Sequence, residues 1–196
     1  MTSDPGSPVE LLMQACVSTG GILANVTRNQ LDLPTPCAGW QVRDLIDHIV
    51  GAAGFFADLA QYGASAEDAE QPGRPGGDYI AAFGQQSGRA IEWFSAAGAM
   101  ERTMALPTGP APGARCIEVA TGEILVHGWD LARSTGQPRP AGTGVAEALL
   151  ASPWLSLCAQ VRDADPAVFG PAIDVPADAP AADRLAAFLG RDPDPR

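Results

Sequence analysis

Gln41-Val-Arg-Asp-Leu-Ile-Asp-His-Ile-Val-Gly-Ala-Ala-Gly-Phe-Phe56 is the stretch on which the fold turns. Val42, Leu45, Ile46, Ile49, Val50, Ala53 and Phe56 recur at three- and four-residue spacing, which gives a helix one apolar face. A strand would need alternation with a period of two, and no stretch of useful length in the chain shows it. Upstream the helix is bounded by Asp32-Leu-Pro-Thr-Pro-Cys-Ala-Gly-Trp40, whose two prolines and glycine stop any helix. Downstream it runs to about Tyr62.

Working outward, Leu11, Leu12, Ala15, Cys16, Ile22, Leu23 and Val26 predict one long helix over about Val9 to Leu31. Residues 63–77 read as a polar, Gly/Pro-rich loop. A third helix is expected from Asp78, as its N-cap, to about Ala97, with Ile80, Phe83, Ile91 and Phe94 turned inward. Met100 to Leu106 reads as extended, and Thr108-Gly-Pro-Ala-Pro-Gly113 as a turn-rich loop. A fourth helix spans about Ala114 to Thr135 and closes on Gly136, a C′ glycine. A fifth covers about Gly144 to Val161. The tail from Asp163 to Asp183 is irregular, and a short last helix, Arg184 to Leu189, packs back through Leu185 and Phe188. No internal repeat occurs. The expected fold class is all-α: a four-helix bundle with additional short C-terminal helices, in one domain over 1–196 with an irregular tail from about 163.

Composition narrows the partners. With 46% hydrophobic residues over 196 positions, the chain has enough apolar material for a core without disulfides or a structural metal. No run approaches the roughly 18 apolar residues of a membrane span. The start, Met1-Thr-Ser-Asp-Pro-Gly-Ser-Pro8, lacks a basic segment followed by an apolar one, so it reads as a frayed terminus of a cytoplasmic protein. A net charge of -11 argues against nucleic acid and anionic membrane, which both need a basic face. Every positive side chain is arginine, a bias read as the mark of a GC-rich genome. Cys16, Cys37, Cys116 and Cys158 form no C-x-x-C pair, so free thiols in a reducing compartment are expected.

The chemistry concentrates on the only two histidines, His48 and His127. In Gly122-Glu-Ile-Leu-Val-His-Gly-Trp-Asp130, Glu123 precedes His127 by four, which puts both on one helix face about 5–6 Å apart. If the second and fourth helices face each other, His48 joins them, and two imidazoles with one carboxylate form a set that leaves coordination positions open. The bland alternatives are a core histidine with its hydrogen bond and a surface Glu–His pair. Asp130, three beyond His127, either orients that imidazole or pairs with Arg133. Trp40 reads as a packing anchor. Cys37 is either a thiol near the site or a buried small residue, with the second favoured. Trp93 and Trp129 read as core or as an interface, such as that of a homodimer.

Two segments carry a resemblance: Leu33-Pro-Thr-Pro-Cys-Ala-Gly-Trp-Gln-Val-Arg-Asp-Leu-Ile-Asp-His48 and Glu123-Ile-Leu-Val-His-Gly-Trp-Asp-Leu-Ala-Arg133. They resemble the DinB/YfiT-like metalloenzyme superfamily, and within it the actinobacterial branch that includes the N-terminal domain of mycothiol-dependent maleylpyruvate isomerase. The ending, Phe169-Gly-Pro-Ala-Ile-Asp-Val-Pro176 with Asp183-Arg-Leu-Ala-Ala-Phe-Leu-Gly190, resembles a metal-binding subgroup of that branch. The resemblance implies a divalent metal on His48, Glu123 and His127, zinc first, with nickel, iron and manganese as alternatives. The isomerase carries a second domain that contributes to its active site where this chain has a short tail, so the resemblance does not by itself single out isomerisation.

Three functions follow as expectations. In the first, a metal-dependent thiol S-transferase or isomerase brings a small-molecule thiol, mycothiol by resemblance, to a small electrophilic substrate. The alternatives are a metal-dependent hydrolase and a non-catalytic metal-binding or sensing module. No side chain beyond the ligand set is assigned a catalytic role, and the substrate is not readable from the sequence.

Overall fold

Each helix of the protein begins or ends where its sequence provides a stop. The structure is a computed structural model, and it describes residues 6–64, 78–140, 144–164 and 169–194. Most of the expected frayed terminus, the Gly/Pro-rich loop from residue 65 and residues 165–168 of the irregular tail lie outside the described residues.

α1 (Pro8–Ala24) opens on a capping box: Ser7 Oγ accepts from Glu10 N, and Ser7 N donates to Glu10 Oε2. It ends seven residues before the expected Leu31. Asn25 turns its amide back onto Gly21 O, and Thr27 is extended, so Arg28–Gln30 form a separate 3-10 turn. α2 (Val42–Tyr62) matches its expected bounds and closes on Gly63 at φ 82°. α3 (Tyr79–Phe94) is capped by Asp78, whose Oδ1 accepts from Ile80 N and Ala81 N. Phe83 and Phe94 face inward as expected, but Ile80, in the first turn ahead of the Phe83, Ser87, Ala90, Phe94 stripe, is 42% exposed. α4 (Gly113–Thr135) closes on Gly136 at φ 68°.

Three expectations are corrected between and beyond these helices. The turn-rich loop is half of a hairpin: β1 (Thr103–Leu106) pairs antiparallel with β2 (Gly109–Pro112), Thr103 opposite Pro112. Four residues per strand, two of them prolines in β2, are too few to display a period of two. The expected fifth helix is two, α5 (Gly144–Ala151) and α6 (Trp154–Ala164). Pro153 lacks an N–H and its ring collides with the carbonyl four residues back, so the helix cannot continue; Ser152 Oγ accepts from Trp154 N to restart it. α7 (Ala181–Phe188) begins three residues earlier than predicted, directly after Pro180.

The architecture is all-α apart from that hairpin. α4 packs against α1 on one side and α2 on the other, and α3 covers both α1 and α2. Its central turns are buried nearly all round, with Gly122, Ile124, Leu125, Val126, Gly128, Trp129 and Leu131 enclosed. Two glycines make this possible. A Cβ on Gly122 would strike the Trp154 indole of α6, and one on Gly128 would strike the Thr19 hydroxyl of α1. Thr19, itself fully buried, donates to Ile124 O at 2.9 Å and ties α1 to α4 beside the candidate ligands. No single helix among the described residues is long and apolar enough to cross a membrane.

Candidate metal centre

His48 lies in the second turn of α2, and Glu123 and His127 lie one turn apart in the middle of α4. Because α2 and α4 are neighbours, the three side chains meet. His48 Nε2 is 2.7 Å from Glu123 Oε1, and His127 Nε2 is 3.2 Å from the same oxygen. The imidazole centroids are 4.6 Å apart and nearly perpendicular. One nitrogen from each histidine and one carboxylate oxygen lie within 4.8 Å of one another. Tetrahedral zinc with bonds of about 2.0–2.1 Å needs ligand separations of about 3.3 Å, so a small opening of these contacts would admit an ion. The donors therefore fit a divalent cation of the borderline kind.

The group is graded in exposure: the His48 and Glu123 side chains are about one-third exposed, His127 is 11% exposed and Asp130 is sealed. Burial alone would push the Glu123 carboxyl up, but the charge and hydrogen bonds of His127 and His48 outweigh it and hold the carboxyl well below its usual range. Burial would likewise depress His127, yet Glu123's charge and hydrogen bonds with Asp130, Cys37 and Glu123 raise it well above the ordinary imidazole value. One carboxylate oxygen is thus clasped between two imidazoles, and the clasp favours the charged form of the His127 ring.

Asp130 resolves one sequence alternative. Its Oδ2 accepts from His127 Nδ1 at 3.0 Å, and the guanidinium it engages is that of Arg191, not Arg133. Cys37 also belongs to the site: its Sγ lies 3.5 Å from Asp130 Oδ2 and 3.9 Å from His127 Nδ1. The reading as a mere buried small residue is thereby corrected. Cys37, His127 and Asp130 form a second close donor group, but Arg191 already supplies the positive charge that Asp130 requires there. Trp40 packs on the core and also walls the site, its ring centroid 4.8 Å from that of His48 and 6.3 Å from that of His127. The Pro-rich turn that halts the helix also places it: Trp40 N donates to Cys37 O, and Trp40 O accepts from Thr35 N.

The four cysteines are free; Cys16, Cys116 and Cys158 are buried and Cys37 is half-buried. Burial pushes the Cys16 thiol up to about 12, burial and then the Glu123 charge push Cys158 up to about 12, and burial raises Cys116. Since the thiolate is the nucleophile, iodoacetamide at neutral pH should alkylate Cys37 well before the other three, by peptide mass mapping of the native protein. Equal labelling of all four would contradict this placement.

Comparison with known proteins bears on the same residues. The model of the mycothiol maleylpyruvate isomerase N-terminal domain family matches residues 12–132, which include His48, Glu123, His127 and Asp130. Two uncharacterized proteins of Mycobacterium tuberculosis, from strains CDC 1551 / Oshkosh and ATCC 25618 / H37Rv, are each 39% identical over 170 residues, covering 87% of this chain and 90% of the relative. No solved structure matches the chain.

Proposed function

The chain belongs to the mycothiol maleylpyruvate isomerase N-terminal domain family, and from that premise we propose that it holds a divalent metal, zinc first, on His48, Glu123 and His127, and uses it to bring mycothiol to a small electrophile as a thiol transferase. The observation that carries this reading is the convergence of two imidazole Nε2 atoms on one carboxylate oxygen, with the other nitrogen of His127 held by Asp130. A carboxylate on the far nitrogen is the usual companion of a metal-bound histidine.

A divalent metal there would lower the pKa of a bound thiol, so that thiolate is present at neutral pH. The protein's own residues do the rest. One nitrogen each of His48 and His127 would hold the ion, and the Glu123 carboxylate would offset part of its charge. Three protein donors leave room for one exogenous ligand. Trp40 offers an apolar face directly beside both rings, which suits an organic ligand rather than water alone. Arg43 pairs with Asp32 and Arg191 with Asp130, so the charge of each is answered within the protein.

A neutral, sugar-bearing thiol should therefore bind better than anionic glutathione on this acidic protein. Titrating mycothiol and glutathione into cobalt-loaded protein, followed by visible absorption, tests this. Mycothiol should saturate and shift the cobalt bands, glutathione should bind more weakly, and neither should bind after chelator treatment. Binding should weaken as pH falls, because protons compete for the sulfur and both imidazoles. Equal, metal-independent affinity for both thiols, or none for either, would replace the transferase with a non-catalytic metal-binding module.

A further inference from the structure

Residues beyond the family-matched region reach into the site. α7 packs on α4, with Leu185, Ala186 and Ala187 buried, and Trp129 Nε1 donates to Asp183 Oδ1 at 2.8 Å. That bond fixes the tail against the same turn of α4 that carries His127 and Asp130. The chain then reverses at Gly190, at φ 83° and pressed so closely on the Gly170 backbone that no Cβ fits, while Arg191 N donates to Ala186 O. This turn sends the Arg191 side chain inward to 11% exposure. Its Nε lies 3.1 Å from Asp130 Oδ1 and its Nη2 3.0 Å from Asp130 Oδ2, and Nη1 donates to Leu189 O at 3.2 Å.

One carboxylate is thus shared by a guanidinium and an imidazole. A two-pronged Arg–carboxylate pair fixes the plane of the carboxylate as well as its charge. Asp130 Oδ2, so held, accepts a hydrogen bond from His127 Nδ1 and sets the rotation of that ring, which leaves Nε2 aimed at Glu123 and His48. We propose that Arg191 is a positioning residue for the metal centre: the tail completes the site by locking Asp130, and through it His127, in the ligating orientation. The inference rests on the reading of His48, Glu123 and His127 as ligands. A lysine, with a compact ammonium in place of a planar fork, would keep the charge and lose the plane.

The test uses the full chain carrying Arg191→Lys, Arg191→Met or Asp130→Asn. Zinc affinity is measured by competition with a chromophoric chelator, and the visible spectrum is recorded on cobalt-loaded protein. In the metal-free protein, the His127 ring nitrogens and Nδ1 proton are observed by NMR. All three variants should lose roughly 10–100-fold in zinc affinity, as expected for a lost partner of a ligating histidine. They should also alter the cobalt bands and weaken or lose the hydrogen-bonded Nδ1 proton signal. A purely structural role would lower the melting temperature and leave affinity and spectra unchanged, and that result overturns the proposal. Arg191→Lys covers the case in which Arg191→Met does not fold. A wild-type chain that takes up no zinc sinks the ligand assignment instead, and the His127 ring signal then decides alone whether Arg191 holds the imidazole.

Discussion

His127→Ala should strip the purified protein of metal, and His48→Ala should do the same, while the wild type should carry about one equivalent by inductively coupled plasma mass spectrometry. Four-ligand zinc sites are held by roughly 10–16 kcal/mol, about 3 kcal/mol per ligand, so losing one of three protein donors costs on the order of a hundredfold to a thousandfold in affinity. A site weakened that far empties on a desalting column. Full occupancy in both variants would place the metal elsewhere. Proton linkage supplies a second, independent mark. Without metal, His127 keeps its proton above the ordinary value of 6.5, because Glu123, Asp130 and Cys37 face it despite its burial. A raised folded-state value adds stability that is fully present below the unfolded value and is lost as pH rises through the raised one. Metal uptake displaces a proton from the same ring, so affinity climbs over that interval. Melting curves of zinc-loaded and chelator-treated protein should therefore separate as pH rises from about 6. A gap independent of pH would point to a different ligand set.

Gly128→Ala should lower stability by about 2 kcal/mol, even though alanine is the better helix former by about 1 kcal/mol. The new methyl overlaps the Thr19 hydroxyl, and Thr19 is fully buried with its one donor spent on Ile124 O. Either that bond breaks, leaving a buried hydroxyl unpaired, or α1 moves off α4. For a chain of this size the loss amounts to a fall of about 4–8 °C in melting temperature. Thr19→Ala removes the overlapping atom, so Thr19→Ala with Gly128→Ala should melt above Gly128→Ala alone, a coupling that a double-mutant cycle measures. Because His127 adjoins Gly128, displacement of α4 should also weaken zinc binding. A Gly128→Ala protein as stable as wild type would show that α1 and α4 do not approach closely.

These two outcomes mark what the sequence could and could not carry. α2 and α4 were legible to within a residue at both ends because long amphipathic stripes run between clear stops: a proline-rich turn before α2, Gly63 after it, and Gly136 after α4. The i, i+4 spacing of Glu123 and His127 is a local property of a helix, so it too could be read; adding His48 required only that the two helices be neighbours. What failed was short or remote. A break at Ser152-Pro153 hides inside a continuous apolar pattern, although the proline was there to be read. Two four-residue strands fall below any periodic signal. Ile80 continues the buried stripe but stands in the first turn of α3, at its exposed end, which periodicity does not reveal. Arg191 stands 61 residues from Asp130 and no spacing rule connects them; a C′ glycine before it is the sole local hint that the chain turns back there. Trp40 and Cys37 were noticed, but a tight turn gives no periodicity from which to tell that both face the histidines.

The order in which the chain is made adds a constraint of its own. Synthesis delivers Cys37, Trp40 and His48 first, Glu123, His127 and Asp130 next, and Arg191 after all of them. A growing chain can assemble α1 to α4 with Asp130 still lacking its guanidinium partner, a buried carboxylate whose charge is only partly answered. Until α7 docks and Gly190 turns, Asp130 lacks the guanidinium that grips both of its oxygens in the finished protein. The tail is thus the last part of the chain to reach Asp130, and it closes the surroundings of a residue made 61 positions earlier.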